Sequence, residues 1–178
     1  MQRQERFEKI KKFFTDLDAT REKKELELTY ETEKGIYGTS NIQDIYDWLE
    51  SLELSDDTVF FDLGSGDGRV AITAALFCKA KGVEFDPELY KKSAAYAKEL
   101  ESNVELHQGD YTESDFSNVS ILFCYADHDF SQALVDKLYK QFSGTLYVYQ
   151  GTFFPEDATK GKTTWIGQTP LLTYTFGE

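Results

Sequence analysis

Apolar residues recur along this chain with two spacings, one helical and one strand-like. Phe7, Ile10, Phe13, Phe14 and Leu17 fall at helical spacing, opposite Arg3, Glu5, Glu8, Lys9, Lys11 and Lys12. They predict an amphipathic helix over residues 1–18 that packs on the domain. Residues 19–36 are rich in Glu and Lys, with Leu26, Leu28 and Tyr30 alternating against polar neighbours. That leaves a short extended piece and a solvated helix or linker both open. Residues 35–39 read as a turn, and Ser40 with Gln43 as a capping box. Ile42, Ile45, Tyr46, Leu49 and Leu52 then form one face of a helix. Val59-Phe60-Phe61 is a continuous apolar run, read as a strand buried on both faces.

From there strands and helices alternate. A helix starts at Arg69, and residues 81–85 read as a second strand. Asp86 as N-cap and Pro87 at the first helical position open a helix to about Leu100, burying Leu89, Ser93, Ala94, Tyr96, Ala97 and Leu100. Residues 103–107 and 119–125 are the third and fourth strands. A helical period from Phe130 to Gln141 stops at Gly144, taken as the residue after the C-cap. Residues 145–150 are the fifth strand. Residues 163–166 and 171–176 form a hairpin joined by Gly167-Gln168-Thr169-Pro170. Trp165, with the C-terminal tyrosines, is expected in the core. The order predicts an α/β fold: a doubly wound, Rossmann-like sheet of seven strands, mostly parallel with a C-terminal antiparallel hairpin, in three αβα layers. Residues 1–36 are expected as an N-terminal helix and linker, and 37–178 as the main domain.

The chemistry concentrates at the carboxyl end of that sheet. Asp62 is followed by Gly64-Ser65-Gly66-Asp67-Gly68, a glycine-rich strand-to-helix turn whose backbone N–H groups can face a ligand. Glu84, Asp110 and Asp127 fall at the next strand exits and line the same crevice. A dinucleotide site wants two residues between its last glycines, whereas here there is one. A pyrophosphate also sits badly beside Asp62. A ligand with a cationic amine, a sulfonium and a ribose suits this acid-lined place, with Glu84 taking the ribose hydroxyls and Asp110 near an adenine amino group.

The motifs Asp62-Leu-Gly-Ser-Gly-Asp-Gly-Arg69, Gly82-Val-Glu-Phe-Asp-Pro87 and Gly109-Asp110 make the chain similar to class I S-adenosylmethionine-dependent methyltransferases. The likeness covers residues 58–111, and the order of strands extends it to about 40–178. It resembles most the small protein-lysine methyltransferases, through Gly38-Thr39-Ser40, the shared glycine motif and Phe153-Phe154-Pro155 in place of a last crossover helix. Those enzymes tend to carry proline where this chain has Ser40. The resemblance implies S-adenosyl-L-methionine as cofactor and S-adenosyl-L-homocysteine as product. It implies a donor site of Thr39, Asp62, Gly64, Ser65, Gly66, Gly68, Glu84, Phe85, Asp110 and Tyr111. The methionine end would lie at Asp62 and the glycine turn, the ribose at Glu84, and the adenine between Asp110 and Tyr111.

The methyl acceptor is expected to be a protein lysine amine or a small molecule. An inactive S-adenosylmethionine-binding module is the alternative reading, and a nicotinamide-linked reductase a third. Residues 124–129, Cys-Tyr-Ala-Asp-His-Asp, lack the Asn/Asp-Pro-Pro-Tyr/Phe run of enzymes that methylate DNA bases and glutamine. Asp127 or His128 is the candidate to take the acceptor's proton, with helix capping the other role open to His128. His107, inside a strand, reads as a core residue. Tyr30 and Tyr37 have two readings, packing or a mobile cover over the donor.

Charge and composition narrow the partners. A net charge of −13 over 178 residues repels phosphate backbones, which disfavours general nucleic-acid binding. Cys78 and Cys124 lack metal-ligand spacing and are expected as buried thiols in a reducing compartment, and no metal site is read. The N-terminal residues are charged, with no signal-like apolar run, so a cytoplasmic protein without a membrane segment is expected.

Overall fold

The computed structural model describes residues 2–23, 29–32, 35–125, 129–150, 155 and 158–177, with the backbone alone for 29–32 and 35–37. Helix α1 (Arg3–Lys23) precedes a small antiparallel pair, β1 (Thr29–Thr32) and β2 (Gly35–Gly38). Then come α2 (Ile42–Ser51), β3 (Val59–Leu63), α3 (Arg69–Ala74), β4 (Lys79–Glu84), α4 (Pro87–Glu99) and β5 (Glu105–Gln108). A 3₁₀ turn (Tyr111–Glu113) leads to β6 (Ile121–Tyr125), α5 (Gln132–Gln141), β7 (Gly144–Tyr149), β8 (Thr164–Ile166) and β9 (Thr169–Phe176).

Among the described residues the main sheet has seven strands, ordered β5-β4-β3-β6-β7-β9-β8. The first five are parallel, and β9 runs antiparallel to both β7 and β8. Strand order reverses between β3 and β6, the switch point where a doubly wound sheet opens a crevice at its carboxyl edge. This is the α/β architecture that the alternation of elements predicts.

The period of two in the central strands sends side chains to both faces. Phe60 and Phe123 join α1, α2, α3 and the end of α4 on one face, with Phe7, Phe14, Ile45, Trp48, Leu49 and Ile72. Phe61 and Leu122 join α5 and Phe116 on the other, with Leu134, Leu138, Leu146 and Val148. Phe7 and Phe14 are both 0% exposed, so α1 is part of the first core layer. Among the described residues no helix is long and apolar enough to cross a membrane.

Local details differ from the sequence reading, each for a physical reason. Asn41, not Ser40, caps α2: its side chain accepts from the N–H groups of Gln43 and Asp44 at 3.0 and 3.1 Å. The carbonyl of Ser40 is instead taken by Arg69. Phe142 ends α5, and Gly144 opens β7, where a Cβ would strike the carbonyl of Ser120 and the Phe142 ring. The hairpin loop is only Gly167-Gln168, with Gly167 at φ +57°, and Thr169 and Pro170 belong to β9. Trp165 is 64% exposed rather than in the core, because β8 is a sheet edge. His107 is likewise exposed, on the opposite edge strand, 2.8 Å from the Glu105 carboxylate. Cys124 is buried as expected, while Cys78 is half-buried at the end of the α3 turn, its thiol pushed up to about 11 by desolvation.

Truncating Phe14→Ala empties a fully buried site between α1, α3 and α4 and is expected to cost about 3–5 kcal/mol. Urea denaturation measures it, and a loss under about 1 kcal/mol would mean that α1 is undocked in solution.

Candidate donor and acceptor site

Asp62 is the fourth residue of β3, paired to Gly82 on one side and Phe123 on the other. It is only 3% exposed. Burial, and then the neighbouring charges of Glu84 and Asp67, push its carboxyl up to about 8. Asp62 therefore holds its proton at neutral pH.

After β3 the chain turns sharply. The N–H groups of Gly64 and Ser65 both donate to the carbonyl of Val83, at 3.0 and 2.9 Å, and Gly68 N–H closes onto the carbonyl of Ser65 at 2.8 Å. Gly64, Gly66 and Gly68 all have positive φ, which residues with a Cβ rarely adopt. The glycines divide by what surrounds them. A Cβ on Gly68 would touch Ser93 at 3.0 Å and Ile72 at 3.4 Å, and one on Gly82 would meet Leu106 and Ser65 at 2.9 Å, so both serve packing. A Cβ on Gly64 or Gly109 would meet nothing within 4 Å among the described residues, so the Cα side of these two faces open space.

Glu84 ends β4 between these two open backbones. One carboxylate oxygen accepts from Gly66 N–H at 2.7 Å and the other from Asp86 N–H at 2.8 Å. Its own carbonyl accepts from Gly109 N–H at 2.9 Å. Burial pushes the Glu84 carboxyl above its ordinary range, and these backbone donors oppose the rise. Phe85 N–H adds a third backbone donor, and of the carboxylate's roughly four lone-pair sites this leaves room for a ligand hydroxyl. Asp110 follows β5, and its side chain caps the 3₁₀ turn by accepting from Thr112 N–H and Oγ1 at 2.9 and 2.7 Å. Tyr111 opens that turn, half-buried. Phe85 follows Glu84, and its carbonyl accepts from Gln108 Nε2 at 3.2 Å. Thr39 precedes α2, half-buried.

The structure thus gathers Asp62, the glycine turn, Glu84, Phe85, Asp110 and Tyr111 at one edge of the sheet. The candidate proton acceptors Asp127 and His128, and Phe153 and Phe154, lie outside the described residues. Tyr30 and Tyr37 lie on β1 and β2, where the backbone alone is described. Ser65 Oγ is buried and finds no protein partner among the described residues. An open glycine turn and the Glu84 carboxylate beside it are compatible with a nucleoside carrying a charged tail.

One part of the site escaped the sequence reading. Arg69, the first residue of α3, is 4% exposed and joins three segments. Its Nε and Nη2 donate to Asp67 at 3.1 and 2.8 Å. Nη1 and Nη2 form a fork on Asp18 of α1 at 2.9 and 2.8 Å, and Nη1 also reaches the carbonyl of Ser40 at 3.2 Å. Arg21 adds a second cation 3.5 Å from Asp67, and the Phe14 ring lies 4.9 Å under the Arg69 guanidinium. The available signal was an arginine opening a helix of otherwise small or apolar residues, since a buried cation needs an acid. Its partner Asp18 lies far upstream with no local mark.

Two expectations follow. Asp18→Ala leaves Arg69 with fewer acceptors and should lower stability by about 1.5–3 kcal/mol, the worth of a hydrogen bond to a charged group, read from chemical denaturation. For Asp62, folding raises the acid above its ordinary value of 3.8 to about 8, so between these values the folded state binds the extra proton. Stability should therefore fall as pH rises through that window and level off above it. Asp62→Asn should flatten the fall, and a variant with the wild-type slope would remove Asp62 as its source.

Comparison with known proteins places this geometry. Residues 62–154, just over half of the chain, match the model of the ANTKMT methyltransferase domain. A protein-lysine N-methyltransferase of Saccharolobus islandicus (strain REY15A) is 31% identical over 98 residues, which span 52% of this chain and 61% of that one. The chain therefore aligns with less than two thirds of that curated relative. Among solved structures, an RNA methyltransferase from Salinibacter ruber in complex with S-adenosyl-L-homocysteine superposes with a TM-score of 0.62 at 26% identity, covering 77% of this chain and 90% of that one. A magnesium protoporphyrin IX methyltransferase from Synechocystis with bound SAH shares the fold at 12% identity, with a TM-score of 0.59 over 76% and 81% of the two chains. The cradle, the acid that ends β4 and the matched segment converge on one family, and the chain belongs to the ANTKMT methyltransferase domain family.

Proposed function

We propose that this protein transfers a methyl group from S-adenosylmethionine to the side-chain amine of a lysine in a protein acceptor. The observation that carries the donor assignment is Glu84, buried at the end of β4 with its carboxylate held by Gly66 and Asp86 N–H, next to the turn through Gly64 and the backbone of Gly109. In this reading Glu84 accepts the ribose hydroxyls, while Asp110, Tyr111 and Phe85 border the adenine. Asp62, Ser65 and the turn through Gly64, Gly66 and Gly68 border the amino-acid end, with Thr39 covering it. Asp62 holds a proton that it can lose when a cationic group approaches, because an opposite charge favours the ionised carboxylate.

The bound donor supplies a sulfonium leaving group, so the reaction is an in-line displacement at carbon. The protein's part is to align the donor with a deprotonated amine and keep water out. Asp127 or His128 takes the proton that the acceptor ammonium must lose. A lysine acceptor rather than RNA is supported by the named lysine methyltransferase relative and by the net charge of −13, which suits a basic protein segment and repels phosphates.

The test is mass spectrometry of lysine-containing proteins and peptides incubated with enzyme and S-adenosylmethionine, looking for whole-methyl increments on lysine. Glu84→Gln should weaken donor binding about 10- to 100-fold, the worth of a charged hydrogen bond, by calorimetry at unchanged melting temperature. Methylation confined to RNA or to small molecules would overturn the acceptor assignment. Undiminished donor binding by the Gln variant would overturn the role of Glu84.

A further inference from the structure

A cleft of about 410 Å³ lies on the α2 side of the sheet, between α2 and the β8–β9 hairpin, away from the donor cradle. Its walls include Trp48 and Tyr147, whose rings meet edge to face at 5.2 Å, and Trp165 at the rim. Trp165 is 64% exposed, one of two exposed large apolar side chains among the described residues. Asp44 and Asp47, one turn apart on α2, stand over the same cleft. Asp44 occupies the place that a Cβ on Gly167 would take, and Asp47 accepts from Gln43 Nε2 at 2.7 Å. Among the lining residues that are described, Lys162 is the one cation.

The topology orients the cleft toward the reaction. Leu171 of β9 pairs with Tyr149, the last residue of β7, and also with Thr164 of β8. The Ile166–Thr169 pair and the Gly167-Gln168 turn therefore project beyond the carboxyl ends of the parallel strands. At the same end, Ser40, just before the α2 cap, is bonded to Arg69 of the glycine turn. The ribose acid Glu84 lies on the β4 side of β3, and the cleft lies across β6 and β7 on the other side. A polypeptide whose lysine reaches the donor from the β6–β7 side can extend into it.

We propose that this cleft binds a lysine or arginine side chain of the acceptor protein, flanking the residue that is methylated. The proposal rests on the lysine-methyltransferase reading above and adds a specificity site to it. Aromatic rings beside two carboxylates match the two halves of such a side chain. The alkyl stem covers Trp165 and Trp48, and the cationic head reaches Asp44 and Asp47 or lies over an aromatic face. The net charge of −13 draws in a basic segment and opposes a second copy of this chain as the occupant.

The experiment uses the intact protein and two lysine-free peptides, one arginine-rich and one with glutamate in place of each arginine. The fluorescence of Trp165, read against a Trp165→Phe control, reports occupancy without any methyl transfer. The arginine peptide should change the signal, and Asp47→Lys should weaken its binding about 5- to 30-fold at unchanged melting temperature, the worth of a desolvated cation contact. The glutamate peptide should gain on the variant. In turnover, Asp47→Lys should raise KM for arginine-flanked lysine peptides and leave KM for S-adenosylmethionine unchanged. Arginine-peptide binding without methylation of any lysine would sink the proposed reaction and leave the cleft's role standing. Lysine methylation whose KM ignores both the flanking charge and Asp47→Lys would overturn the cleft, as would self-association through Trp165 in sedimentation.

Discussion

The buried guanidinium of Arg69 is the constraint from which the donor end of this molecule takes its shape. A cation that has lost its water must be met by acids in good geometry, and here they come from the turn itself (Asp67) and from a helix far upstream (Asp18). Because the fork on Asp18 is directional, it fixes where α1 lies as well as that it lies there. The same group holds the carbonyl of Ser40, which sets the entry to α2 and moves its cap to Asn41. The glycine turn is thus braced from outside by charge and from beneath by packing at Gly68 and Gly82. Its open side is left to backbone alone.

On the other flank, acids are crowded where burial makes them costly. Asp62 and Glu84 both have carboxyls raised by desolvation, and Glu84 is partly stabilised by three backbone N–H groups. Asp62 has a single backbone hydrogen bond against that rise, from Ala71, and keeps its proton. A buried acid in that state is poorly explained by stability, since an apolar residue in the middle of a central strand would cost less. It is well explained by a cationic ligand that ionises it on arrival.

Much of this was readable before the fold was seen. The alternation of strands and helices, the Asp86-Pro87 helix start and the acid at the end of β4 are local signals, and each gave the right element. Misreadings clustered where tertiary position decides. His107 and Trp165 sit in strands of ordinary appearance, and only the sheet order reveals those strands as edges with one side uncovered. Gly144 looked like a helix stop because a glycine after a periodic stretch usually is. Its lack of a side chain is instead required by the carbonyl of Ser120 on the neighbouring strand. The Asp18–Arg69 fork was invisible for a simpler reason: a partner half a hundred residues away leaves no spacing to read.

The position of β9 bears on how the sheet comes together. This strand follows β8 in sequence yet lies inside it, pairing with β7 on one side and β8 on the other. Until it is in place, β7 presents a bare row of hydrogen-bonding groups and β8 has no strand to pair with. A nascent or truncated chain ending before Thr169 would carry an open, apolar flank, ready to stick to any passing strand. Completion of the β7–β9–β8 flank is therefore a late step in assembly, and the half built from β3 to β6, closed by earlier strands, can form without it.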